Sequence, residues 1–118
     1  MTALVRSRQS VSDDTSQMRR LRRLIRDVDR ELVALLAARL KLGRRIGRLK
    51  IRLGLPVRDV AVEDRIMRGY LAACKRHRLS EDFGKTLAQR IIFESISVQQ
   101  ELLRRDMRNC ACRHHAGE

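Results

Sequence analysis

Two cations on one predicted helix have a spacing that suits a small dianion. Arg39 and Lys50 are eleven residues apart, which on an α-helix is three turns plus about 20°. Both side chains therefore leave the same face, about 16 Å apart along the axis. Farther on, Glu63 sits in the first turn of a second predicted helix, behind the N-cap candidate Asp59. On a third, Ser95 and Gln99 stand one turn apart in a stretch that carries Ile91, Ile92, Ile96 and Val98. Each residue has an ordinary reading by itself: an arginine that snorkels or pairs, a lysine favoured near a helix C-terminus, an acid favoured near an N-terminus, surface polar groups. As a set they make a polar pocket between helices that holds a small anion by charge and orients it by hydrogen bonds. The set contains no evident nucleophile, metal cage or glycine-rich phosphate loop.

The elements that must position these residues are helical. Leu21, Ile25, Val28, Leu32, Leu35, Arg39, Leu42, Ile46, Leu49 and Leu53 recur in alternating steps of four and three, a sustained heptad stripe. Arg39 is its one polar member, and a guanidinium in a seam is costly without an anionic partner. The pattern predicts a first helix from Thr15 or Ser16, either of which can cap it, to Leu53, stopped by Gly54 and Pro56. A second helix is expected to start after Asp59, its N-cap, and to run to about His77, with Val62, Ile66, Met67, Tyr70, Leu71 and Cys74 on its apolar face. A third follows Ser80, with Phe83, Leu87, Ile91, Ile92, Ile96, Val98, Leu102 and Leu103. Residues 1–14 and 108–118 lack periodicity and are expected to be flexible tails around a helical domain at 15–107. A first helix of about 57 Å exceeds the roughly 13 Å radius of gyration of a compact chain of this size. Its continuous stripe calls for a second copy in a two-fold dimer.

Composition narrows the function classes. The chain has 118 residues, 43% apolar and 35% charged, with a formal charge of +13. That is one domain, too apolar for a disordered chain, with no run near the roughly 18 apolar residues of a membrane span. Aromatic residues make up only 3%, which argues against a base-stacking platform for single-stranded nucleic acid. The positive charge and the Arg19, Arg20, Arg22, Arg23 cluster leave a basic helical nucleic-acid module as an alternative, set against an arginine-rich solvated surface. A purely structural coil leaves Arg39 unexplained. With three cysteines and no apolar leader, a reducing cytoplasm is the expected compartment. Cys110, Cys112, His114 and His115 match no common metal-site spacing.

The ordered motifs resemble those of the all-helical class of chorismate mutases over residues 18–103. They run Leu21-Arg22-x-x-Ile25-x-x-Val28-Asp29, Leu35-Leu36-Ala37-Ala38-Arg39 and Ile46-Gly47-x-x-Lys50. Then come Gly54-Leu55-Pro56-Val57-Arg58-Asp59 with Glu63, and Ile91-Ile92-x-Glu94-Ser95-x-x-x-Gln99-Gln100. The resemblance implies an all-α intertwined homodimer of three-helix chains with active sites shared between them, converting chorismate to prephenate without a cofactor or metal. By matched position, Arg39 would bind one substrate carboxylate and Arg22 of the other chain another. Lys50 and Gln99 would meet the ether oxygen, Glu63 with backbone at Asp59 would hold the ring hydroxyl, and Ser95 would contact a carboxylate. Arg22 and Lys50 are about 42 Å apart on one helix, so they cannot share a small substrate within one chain. In one place the chain departs from the pattern. Val62 stands where the family often has Arg, which leaves a mutase or lyase acting on 4-amino-4-deoxychorismate or isochorismate as a further alternative.

Overall fold

Gly and Pro are absent from residue 2 through residue 42, so nothing interrupts a helix there. The computed structural model describes residues 2–116, with side chains for 8–113. Helix α1 spans Thr2–Leu53, α2 spans Val60–Arg76 and α3 spans Glu81–Ala116; among the described residues there is no strand.

In both terminal segments expected to lack regular structure, the described residues, 2–14 and 108–116, are helical. Thr15, a candidate N-cap, lies inside α1, and its Oγ1 donates to the Val11 carbonyl at 2.8 Å. This is the bond a threonine makes back into its own helix. At the other end Glu101 draws Arg104, Arg105 and Arg108 to its two oxygens. Those i+3, i+4 and i+7 contacts exist only in helical geometry and extend α3 past the last apolar periodicity. Arg104 first, then Arg105, holds the Glu101 carboxyl below its ordinary range.

The described residues divide into two units, one ending at Ala38 and the other beginning at Arg39. In the first, every described side chain from Arg8 to Ala38 is exposed, Leu21, Ile25, Val28, Leu32 and Leu35 included.

The second unit is organised by its caps. Gly54 takes φ +65° and Leu55 N donates to Lys50 O at 2.8 Å, the glycine-based closure that ends a helix. Asp59 caps α2 by accepting from Ala61 N and Val62 N. The chain turns after α2 at Arg78, φ 57°, with Leu79 N donating to Cys74 O at 2.8 Å. Ser80 Oγ then accepts from Phe83 N at 3.0 Å to open α3. Helices meet where side chains are missing: a Cβ on Gly43 or Gly47 lies within 3 Å of Ser95 or Gln99, and one on Gly84 lies against Cys74. Glycines aside, only Cys74, Ala88 and Gln99 are buried among the described residues. Phe83, expected on the apolar face of α3, is 57% exposed.

Candidate active site

The C-terminal part of α1, the loop before α2, the first turns of α2 and the middle of α3 enclose a cleft of about 250 Å³. Six of the seven candidate residues line it: Arg39, Lys50, Asp59, Glu63, Ser95 and Gln99. Its remaining walls are mostly aliphatic, including Leu42, Ile46, Ile66, Ile92 and Ile96. Arg22 belongs to the N-terminal unit, where it is exposed.

The polar side chains are fixed by one another. Gln99, 6% exposed, donates from Nε2 to the Gly43 carbonyl at 3.0 Å and accepts at Oε1 from Lys50 Nζ at 3.0 Å. A carbonyl only accepts and an ammonium only donates, so this amide has one satisfactory orientation. Lys50 Nζ also donates to the Val57 carbonyl at 2.6 Å. Two of the three ammonium N–H bonds are thus engaged, and one remains. The second N–H of Gln99 likewise remains. Arg39 Nη1 lies 3.5 Å from Ser95 Oγ, a loose contact that leaves most of the guanidinium's donors free. Asp59 is occupied as the α2 cap, at 3.1 Å to Ala61 N and 3.2 Å to Val62 N.

Sequence reasoning missed three contributors. The carbonyls of Gly43 and Val57 orient Gln99 and Lys50. The glycine pair at 43 and 47, one turn apart, was the available sign that backbone approaches closely there. Arg58 is the third: its Nη2 lies 2.7 Å from Glu63 Oε1 and its Nε 3.4 Å from Oε2. That bond, with the carboxylate's charge, raises the Arg58 pKa further above its already high value.

The site therefore offers fixed cationic and amide donors in an aliphatic cleft, with a neutralised acid at one side. It suits an anionic organic molecule and supplies charge without a nucleophile. A family model described as chorismate mutase type II matches residues 21–100, all seven candidates included. The chain belongs to the chorismate mutase type II family. Over 87 residues, 74% of the chain, it is 34% identical to the bifunctional chorismate mutase/prephenate dehydratase of Escherichia coli (strain K12). It is 31% identical over 81 residues to the protein of the same name from Buchnera aphidicola subsp. Acyrthosiphon pisum. These matches span 22% and 21% of the two bifunctional relatives. Against the chorismate mutase of Methanocaldococcus jannaschii, identity is 28% over 83 residues, 70% of this chain and 84% of that one. The match to the chorismate mutase type II model begins at Leu21 and ends at Gln100. It leaves out the added first turns of α1 and the arginine-rich end of α3.

Among the described residues, no group of His, Cys, Asp or Glu is arranged to hold a metal ion. Cys110 and Cys112 are exposed free thiols, and the side chains of His114 and His115 lie outside the described residues.

Proposed function

We propose that this chain rearranges chorismate to prephenate, a step toward phenylalanine and tyrosine. The Lys50–Gln99 pair is the observation that carries the reading. Each group is tied to a backbone carbonyl and to the other, and each keeps one N–H for a ligand. In the rearrangement the C–O bond of the enolpyruvyl ether breaks as a C–C bond forms, and negative charge grows on the ether oxygen. The two spare N–H groups supply donors for that oxygen. Because Val57 and Gly43 already hold them, little reorganisation is needed as the charge develops. The reaction is intramolecular and pericyclic, so it calls for no acid, base, nucleophile or cofactor.

The other side chains fold the substrate. Arg39 takes a carboxylate, with Ser95 beside it, and Glu63 accepts from the ring hydroxyl next to the backbone at Asp59. Holding the flexible arm over the ring turns a rare conformer into the bound one. A second arginine clamp comes from Arg22 of a partner chain in a homodimer with shared sites. Two observations support the dimer: the apolar stripe from Leu21 to Leu35 is exposed, and few residues are buried. A chain of this length needs a larger core than Cys74 and Ala88 provide. Among the described residues no helix is long and apolar enough to cross a membrane. With free thiols at Cys74, Cys110 and Cys112, this fits a cytoplasmic enzyme.

The test is direct. Purified protein should remove the ultraviolet absorbance of chorismate, with prephenate as the sole product by mass spectrometry and NMR. Loss at only the uncatalysed rate, or a product that has shed pyruvate, overturns the assignment.

A further inference from the structure

Glu63 lines the cleft and also a groove on its outer side, where Arg58 is another wall. The two differ in exposure: the Glu63 side chain is 19% exposed and that of Arg58 is 62%. The guanidinium thus approaches the carboxylate from the groove, with a donor on each oxygen at 2.7 and 3.4 Å. Its backbone is held on both sides. Lys50 Nζ binds the carbonyl of Val57 immediately before it, and the Asp59 side chain immediately after it caps α2. No other cation is bonded to Glu63 among the described residues.

We infer that Arg58 makes this site select a hydroxyl over an amine on the substrate ring, by cancelling the charge of Glu63 from behind. The inference rests on reading the cleft as a chorismate site. A ring hydroxyl is a neutral donor and needs only a lone pair of Glu63, which Arg58 leaves available on the cleft side. An amine at the same carbon is an ammonium at neutral pH. A bare carboxylate in a half-buried wall attracts that ammonium far more than it attracts a hydroxyl. A carboxylate already paired with a guanidinium does not, and the guanidinium repels the incoming cation. Arg58 is therefore a positioning and specificity residue that does not itself touch the substrate.

The experiment compares kcat/KM for chorismate and for its 4-amino-4-deoxy analogue in wild type, Arg58→Gln and Arg58→Lys, each verified as folded by circular dichroism. Arg58→Gln should lower the hydroxyl-over-amine ratio by about 10-fold, since exposure and salt weaken the field of the guanidinium. Arg58→Lys should restore most of it. Combined with Glu63→Gln, the Arg58→Gln change should leave the ratio where Glu63→Gln alone puts it. A ratio unchanged in Arg58→Gln, or still shifted by it in the Glu63→Gln background, overturns the role of Arg58 while wild-type turnover of chorismate stands. A wild-type chain that turns over neither compound overturns the reading of the cleft, and this inference with it.

Discussion

Replacing Gly47 with Ala puts a methyl where the structure has no room for it. The added Cβ lies 2.8 Å from Gln99 Cγ, 3.3 Å from Leu102 Cδ1 and 3.4 Å from Gln99 Cβ. Carbon atoms prefer about 3.5–4.0 Å, so Gln99 or all of α3 must retreat by about 0.7–1.2 Å. The atoms met are the root of the side chain, not its flexible tip, and a change of rotamer relieves only part of the clash. Overpacking of this kind costs about 1–3 kcal/mol, against a gain of about 1 kcal/mol from replacing glycine within a helix. The net expectation is a loss of up to about 2 kcal/mol. The larger effect is on chemistry. A shifted Gln99 leaves both the Gly43 carbonyl and Lys50, each now at 3.0 Å, and a displacement near 1 Å costs about 100-fold in kcat. Gly69, inside α2, has nothing within 4 Å of an added Cβ. Gly69→Ala should therefore gain about 0.5–1 kcal/mol and keep full activity. Urea denaturation and steady-state kinetics on both variants separate the two effects. If Gly47→Ala is stabilised like Gly69→Ala and retains wild-type kcat, the close packing of α1 on Gln99 is not what holds the site together.

Two further expectations follow from the same contacts. Gln99→Glu should be active in acid and lose activity as pH rises through the pKa of the introduced carboxyl. The neutral acid can still donate, but the carboxylate faces both the Gly43 carbonyl and the growing charge with no donor. Lys50 lowers that pKa and burial raises it, and one O–H in place of two N–H bonds keeps peak activity below wild type. Profiles of kcat/KM from about pH 4.5 to 9 with the same shape for both proteins would remove Gln99 from the ether oxygen. For the shared site, Arg22→Ala and Arg39→Ala chains should each be nearly inactive, and refolding them together should recover activity, because a mixed dimer has one site with both arginines. Verified mixed dimers without recovery would place both residues in one chain's site.

What the sequence revealed and what it concealed divide along the range of the interactions. Gly54 with Pro56, Asp59 and Ser80 are local stop and start chemistry, and all three act at the predicted places. The step pattern of the first helix also identified Arg39 as an intruder, and it lines the cleft. The first turns of α1 were hidden because they lack an apolar stripe, although nothing in them breaks a helix. The Arg58–Glu63 pair was hidden because five residues across a cap is no helical contact spacing. The orientation of Gln99 depends on a carbonyl 56 residues away, a relation that exists only once α1 and α3 have packed.

The most direct test of the central claim, that a fixed ammonium stabilises the breaking ether bond, is kcat for Lys50→Met on chorismate. Methionine keeps much of the length and apolar stem but removes all three donors. In Lys50→Met kcat should fall by about 100- to 1000-fold, the cost of losing one preorganised donor to a developing oxyanion, with a much smaller change in KM. A Lys50→Met enzyme that rearranges chorismate at the wild-type kcat would contradict that claim.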